Sequence, residues 1–431
     1  MLHEISKSCL GFGSGSRFLQ DAASKICTPS SLILVHPTTA SVELVMQFLF
    51  EELDRRRWRI QELDVLDLDI DKIPESLCSR LNIDYEAGDG RSLENISRKI
   101  KGLDSIHLTN LSKLDSRGKQ NWIAFLNRWT ILLKQSVDSN RRAPSFVTSA
   151  NLDDQLQRQV HQDTVMTMIW WWGIPSSLEL QLLCREHQND LRDIFETRWR
   201  ESLGAAVASG DLEFLGAIWD KLTDSMDTLA GTMLRYAEGR KWTTSKISQL
   251  LDGLLPQYYR RAMLPTWREN EESLSVSPPQ NLRAAWMEGL VFYSPEYGCE
   301  LHAAAACQLD AKFAKSRIWR AQLSLILPQL DIARSMICEA LTSRLGNSWP
   351  TKFRPPKDDQ ECIEVTHDPM SCQLGHLDLL LQNYRELQRV NHHFRVLAKK
   401  AKDLRNDLSH LRPISYEQYR SFHETARLAF N

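Results

Sequence analysis

The chain has 431 residues, with 53 Lys+Arg against 55 Asp+Glu and a formal net charge of −2. That balance excludes a protein coated in basic charge for nucleic acid, though not a local basic face. At roughly 150 residues per domain the length suggests two or three domains, enough to bury a sizeable core. The nine cysteines (9, 27, 78, 184, 299, 307, 338, 362 and 372) are odd in number and scattered, without a Cys-x-x-Cys. They point to the reduced thiols of a cytosolic protein. The longest apolar stretches, 31–35 and 165–172, fall far short of the roughly 18 residues a span needs. No membrane span and no export signal are expected, and the expected location is cytoplasmic.

In chain order, LILV at 32–35 is a short apolar run after a Pro/Ser-rich turn, and the helical pattern ELVMQFLFEELDRRR follows. Residues 58–68 alternate like a strand. An Asp/Gly-rich loop at 86–91 precedes the helix-like LENISRKIKGL. DSIHLTNL (104–111) is a strand, 119–135 a Trp-bearing helix, SFVT (145–148) a strand, and VMTMIWWW (165–172) a fifth. Strands separated by helices of 10–15 residues imply a parallel α/β sheet. Gly11, Gly13 and Gly15 lack a preceding strand, so they suggest a flexible segment and no dinucleotide fingerprint. Trp170, Trp171 and Trp172 cannot all face one side of a strand. They suit either a strand buried on both faces or an aromatic contact for a base or a partner.

From 177 to about 268 only helical patterns occur. Residues 270–279 form a turn-rich linker, and 281–307 are helical or mixed. Residues 317–345 predict a long helix interrupted near Pro328. Residues 347–370 are polar and Pro-rich, hence a loop, and the last 60 residues are helical again.

The segment between the first strand and the next helix carries His36-Pro-Thr-Thr-Ala-Ser41-Val42-Glu43. This is where a P-loop NTPase has G-x-x-x-x-G-K-[ST]. His36 and Ser41 stand for the glycines, Val42 for the Lys and Glu43 for the hydroxyl residue. Glycines let backbone N–H groups approach phosphate and the Lys neutralises it. Val42 supplies no cation, and Glu43 puts a carboxylate where phosphate would sit. The strand at 104–111 resembles a Walker B strand whose acidic position is Thr109 or Asn110, and SFVTSA resembles a sensor strand. Residues 15–185 thus resemble an inactivated P-loop domain of the AAA/STAND type. An α/β domain that never had a P-loop remains the alternative. The resemblance implies no tight NTP binding and no cofactor.

The most specific local pattern is Arg405-Asn406-Asp407-Leu408-Ser409-His410. It resembles the R-x(4–6)-H motif of HEPN domains, which are all-helical, and the resemblance covers about 317–431. Metal-independent RNA cleavage needs a base near the 2′-hydroxyl and a cation on the scissile phosphate. An imidazole and a guanidinium supply these. The resemblance implies Arg405 for phosphate contact, Asn406 for positioning and His410 as acid or base, in a homodimer. On a continuous helix Arg405 and His410 lie about 140° apart, so they share a face only if the helix ends or kinks between them, and Pro413 favours an end near 409–412. The plainer alternatives are a helix cap for Asn406, a carbonyl bond for His410, and a pair between Arg405 and Asp378 or Asp403. From 391 to 431 eight Lys/Arg face four Asp/Glu, a net +4 that attracts a phosphate backbone or simply forms a solvated face.

Cys362, His367, Cys372 and His376 can be drawn as a zinc set but lack the close Cys pair that opens such sites, so no metal is expected. The expected architecture is an α/β domain at 15–185, a helical or mixed middle region at 186–316 and a HEPN-like helical bundle at 317–431. The arrangement resembles proteins of prokaryotic conflict systems, including anti-phage defence. It implies either a sensor or scaffold joined to an RNase, with protein partners and RNA, or a non-enzymatic adaptor whose bundle only dimerises or binds partners. An NTP-binding switch with non-standard loop chemistry is a third.

Overall fold

The computed structural model describes residues 13–84, 92–135, 143–151, 165–186, 193–208, 210–251, 277–294, 298–353 and 368–430. Its residues group into two compact units. The first comprises 1–183, 209–213 and 243–302, and the second 184–208, 214–242 and 303–431. Residues 186–316 are therefore shared between the two units.

The first unit begins with α1 (Gly13–Ile26), β1 (Leu32–Val35), α2 (Val42–Arg55), β2 (Ile60–Asp64), α3 (Ile73–Arg80), α4 (Ser92–Lys99), β3 (Ser105–Thr109), α5 (Ser116–Gln135), β4 (Ser145–Ala150) and β5 (Thr167–Trp170). All five strands are parallel, in the order β2-β3-β4-β1-β5. Strand β1 is buried along its whole length between helices on both faces. On one face Leu32 and Leu34 pack with Leu44, Val45 and Leu49 of α2 and Phe18, Ala22 and Ile26 of α1. On the other, Phe146 of β4 meets Phe125 and Trp129 of α5 with ring centroids 5.6 and 5.2 Å apart. The Trp129 indole donates to the Pro144 carbonyl at 2.8 Å, so the ring is buried with its polar atom satisfied.

Two local expectations change. Gly13 and Gly15 lie within α1, while Gly11 falls outside the described residues. The helix is fixed by the apolar face of Phe18, Leu19, Ala22, Ala23 and Ile26. Ser14 also bonds the Glu179 carboxylate through both its amide and its hydroxyl. Burial pushes Glu179 up, but the bonds from Ser14 and Ser176 outweigh it and hold the carboxyl below its ordinary range. The strand predicted at 58–68 is limited to β2 and turns into a 3₁₀ turn at Val65–Asp67, where the Asp64 carboxylate accepts from the Leu66 amide.

The chain continues with α6 (Ser177–Glu186), α7 (Ile194–Ala208), α8 (Leu212–Ile218), α9 (Met226–Gly239), α10 (Thr244–Leu250), α11 (Arg283–Met287) and the antiparallel hairpin β6 (Val291–Ser294)–β7 (Gly298–Leu301). Then come α12 (Ala303–Leu309), α13 (Ala311–Leu345), α14 (Trp349–Lys352), α15 (Leu374–Asn383), α16 (Arg385–Gln388), α17 (His393–Ser409) and α18 (Tyr416–Phe430). In the second unit α13 runs unbroken through Pro328, against the predicted interruption. A mid-helix proline costs about 3 kcal/mol. Here buried Ile326, Leu330, Ile337, Cys338 and Leu341 hold the helix across it.

Candidate functional site

Two places carry the residues singled out by sequence. The first is the loop between β1 and α2. Val35 ends β1 and Val42 opens α2, so residues 36–41 form a strand-to-helix turn, the place where a phosphate loop would stand. Its chemistry is different. The Thr38 amide donates to the Met287 carbonyl at 2.9 Å, the Ala40 amide to Pro37 at 3.1 Å and the Val42 amide to Ala40 at 3.0 Å. Three donors that a phosphate would need are thus already taken by carbonyls. The Met287 carbonyl also accepts from the Asn151 side-chain amide at 3.4 Å, just past β4. Gly289 is left-handed (φ +76°), and a Cβ there would lie 2.4 Å from the Thr39 methyl. The turn after α11 therefore packs directly onto the loop.

The individual positions agree with this closure. His36 is half-buried, its Nδ1 lies 3.1 Å from the Pro37 carbonyl, and burial pushes its pKa down. Ser41 is exposed at the N-cap of α2 and makes no side-chain cap bond. Val42 opens the helix and Glu43 is exposed in its first turn. At the end of β3, Thr109 donates to Leu63 at 3.5 Å and Asn110 donates to the Asp64 carboxylate at 2.6 Å. Asn110 is left-handed (φ +62°).

Beside this loop lies a narrow cleft with a cavity volume of ≈ 60 Å³. Trp172, Trp286 and Tyr293 form one wall: Trp172 stacks on Tyr293 at 5.6 Å and meets Trp286 edge-on at 6.0 Å. Trp170 and Trp172 are buried, and half-buried Trp171 packs edge-on against Phe18 at 5.0 Å. The three adjacent indoles thus point to different sides, as the strand geometry requires. Asp211 and His302, each 2% exposed, pair at 3.4 Å among the lining residues. Sequence reasoning missed this cleft, because 210–212 and 286–302 join the sheet from far along the chain.

The second place is the end of α17. Phe394, Leu397, Ala398, Ala401, Leu404 and Leu408 are buried at helical spacing. Arg405 and Asn406 fall on the opposite, exposed face. The helix ends at Ser409, and His410 is its exposed C-cap at φ −94°, ψ 19°. Leu411 follows in the left-handed region (φ +56°), and the Arg412 amide reaches back to the Asp407 carbonyl at 2.9 Å. This turn is held from below. The Trp319 indole donates to the Leu408 carbonyl at 2.7 Å, and the Gln322 amide both donates to and accepts from the Ile414 backbone at 2.9 Å. Asp378 is committed elsewhere, to Lys402 at 2.7 Å and Gln382 at 2.6 Å. Among the described residues no carboxylate pairs with Arg405, and no hydrogen-bond partner takes the Asn406 amide or the His410 ring.

Of the candidate zinc set, Cys362 and His367 lie outside the described residues. Among the described residues no group of three His, Cys, Asp or Glu side chains is placed to hold a metal. No helix among them is long and apolar enough to cross a membrane.

No protein-family model matches the chain. No curated protein matches it in sequence. Among solved structures, a DNA replication initiation factor aligns over 96% of both chains with 9% identity and a TM-score of 0.30. The first unit is an α/β domain, with a parallel sheet ordered β5-β1-β4-β3-β2 and a loop joining β1 to the following helix. Its loop lacks the glycines and the lysine that phosphate binding uses, and three of its amides are taken by carbonyls.

One result follows for nucleotide. With 1 mM Mg·ATP the melting temperature is expected to stay within about 0.5 °C, because stabilisation scales as RT ln(1 + [L]/Kd) and Kd lies far above [L]. Differential scanning fluorimetry checks this, and a rise of several degrees would refute the closed-loop account.

Proposed function

We propose that this chain couples a P-loop-type domain that senses or scaffolds without hydrolysing NTP to a HEPN-like helical unit that cleaves RNA without metal. Its setting would be a prokaryotic conflict or anti-phage defence system. The observation that carries the catalytic half is the uncommitted state of Arg405, Asn406 and His410, gathered on the last turn and cap of α17. The plainer roles for these side chains, as cap, carbonyl ligand or ion pair, have no partner among the described residues.

The chemistry is in-line transesterification. His410 would take the proton of the 2′-hydroxyl as that oxygen attacks phosphorus. Arg405 would hold the non-bridging oxygens bidentately as charge builds on them. Asn406 would orient the ribose or phosphate. The P–O5′ bond breaks, leaving a 2′,3′-cyclic phosphate and a 5′-hydroxyl. With a second copy of the chain, the homodimer implied by the resemblance, one subunit's groups could serve as base and the other's as acid. RNA would be drawn by the net +4 of residues 391–431.

The test is cleavage of mixed RNA by the purified chain in EDTA. Cyclic-phosphate products support the reading, and intact RNA at micromolar enzyme counts against it. One observation favours a second, adaptor reading. Ile332 and Met336 stand one turn apart on α13 and are 59% and 37% exposed, a pair suited to a protein partner. An inert chain that sediments as a stable dimer or retains a partner protein would support that reading instead.

A further inference from the structure

The corner between α16 and α17 forms a groove lined by cationic and amide side chains and by no acid. We propose that this groove anchors the phosphate backbone of a single-stranded RNA, which then runs along the exposed side of α17 towards Arg405 and His410. The proposal deepens the RNA-cleaving reading of the second unit and rests on it for the identity of the strand.

Three observations carry it. The first is the groove itself. It is open, with a volume of ≈ 670 Å³, and its lining includes Arg385, Arg389, Gln388, Asn391, His392 and His393. Glu386, the acid nearest in sequence, is exposed and lies outside the lining. A phosphate there meets donors and positive charge and nothing of its own sign.

The second is availability on a fixed frame. Arg385 opens α16 and Arg389 caps it, and both are exposed. Among the described residues neither guanidinium has an ion pair or a hydrogen bond. Elsewhere in the same unit Arg200, Arg334 and Arg420 each hold a carboxylate. The groove's amides are committed to the backbone around it. Gln388 donates to the Leu381 carbonyl at 2.6 Å, and Asn391 donates to the Ala429 carbonyl at 2.7 Å while accepting from the His393 amide at 2.9 Å. The site is thus organised before a ligand arrives. The His392 and His393 rings lie 3.8 Å apart and offer flat faces on which an unpaired base can stack.

The third is continuity. Beyond the groove, Arg395, Lys399 and Asn406 follow one another along the exposed side of α17, opposite buried Leu397, Ala401 and Leu408. Arg395 and Lys399 also have no ion pair among the described residues, and Asp403 is the acid that interrupts the strip. At 1.5 Å per residue about 18 Å of helix separate His393 from Arg405. A strand of several nucleotides spans both ends.

The experiment measures binding of the full chain to a 2′-O-methyl RNA strand by fluorescence anisotropy over a range of salt. This strand carries the phosphates but no 2′-hydroxyl to attack, so binding is read apart from cleavage. Each phosphate contact to a single strand contributes about 0.7 to the slope of log K against log salt. Arg385→Gln combined with Arg389→Gln is therefore expected to weaken binding several-fold at low salt and to flatten the slope by about 1.4. Either substitution alone should give about half that change in slope, so the test survives if the double variant does not fold. Lys72→Gln with Lys101→Gln removes the same charge from exposed positions of the first unit and is expected to leave affinity and slope nearly unchanged. No saturable binding by the wild type, an unchanged slope in the folded groove variants, or an equal loss in the Lys72/Lys101 variant would each overturn the proposal. The cleavage reading fails separately: binding as expected, with unmodified RNA left intact in EDTA, would remove the reaction and keep the anchor.

Discussion

His410→Ala is expected to lower RNA cleavage in EDTA by about 10²- to 10⁴-fold, the range for removal of a positioned acid or base. The melting temperature should be unchanged. The His410 side chain is exposed and makes no bond to a described residue, and substitutions at such surface positions usually stay within about 0.5 kcal/mol. The turn that carries it is fixed by backbone bonds and by Trp319 and Gln322, none of which the substitution touches. Loss of activity with unaltered folding would therefore identify chemistry and not collapse. Equal activity in the variant would remove His410 from the reaction and leave the cleaving groups elsewhere.

Arg405 discriminates further. An Arg that grips a phosphate bidentately is poorly replaced by Lys, which offers a point charge. A loss in Arg405→Lys nearly as large as in Arg405→Ala would mark bidentate contact. Rescue by Lys would instead mark a role in the general electrostatic attraction of residues 391–431, and that role should fade with salt.

The parts of the fold that rest on local pattern were legible. LILV, SIHLT and SFVTSA are short apolar runs between amphipathic helices, and a strand buried on both faces has no other composition open to it. The end of α17 near Pro413 was legible for the same reason, since the residue before proline resists helical geometry. The missed features are non-local. Pro328 looks like a break in one dimension, yet α13 continues because packing on several sides outweighs the lost hydrogen bond. The loop's departure from a phosphate-binding pattern could be recognised from Val42 and Glu43, but nothing in the sequence near 36–43 shows that the Met287 carbonyl takes the Thr38 amide. The aromatic cleft needed Trp172 to meet Trp286 and Tyr293 over a separation of more than a hundred residues. Periodicity carries no information at that range.

Acidification should destabilise the second unit through His423. Its ring stacks on Phe195 at 4.4 Å and meets Tyr419 and Phe422 edge-on at 4.5 and 5.0 Å. Its Nε2 is buried with no hydrogen-bond partner among the described residues. Burial, reinforced by the positive charge of Arg198 and partly opposed by Asp193, pushes its pKa down to about 4. The unfolded chain binds the proton near the ordinary 6.5. Above that pH neither state is protonated, so the histidine contributes nothing to the pH dependence. Between 6.5 and about 4 the unfolded state binds the proton first and stability falls with pH. Below about 4 both states carry it and the loss is complete. The full loss is about 3 kcal/mol, of which about 2 kcal/mol is reached by pH 5. Phenylalanine fills nearly the same volume, keeps the stacking on Phe195 and cannot titrate. Urea unfolding at pH 7.5 and pH 5.0 should therefore show the wild type losing about 2 kcal/mol more than His423→Phe between the two conditions. Carboxylates held low by hydrogen bonds, such as Glu179 in the first unit, lose their contribution only as pH falls through their own depressed range, and they do so equally in both proteins. Parallel losses in wild type and variant would show that the ring takes up its proton in the folded state without penalty, and the aromatic box around it would then not be the desolvating environment its geometry describes.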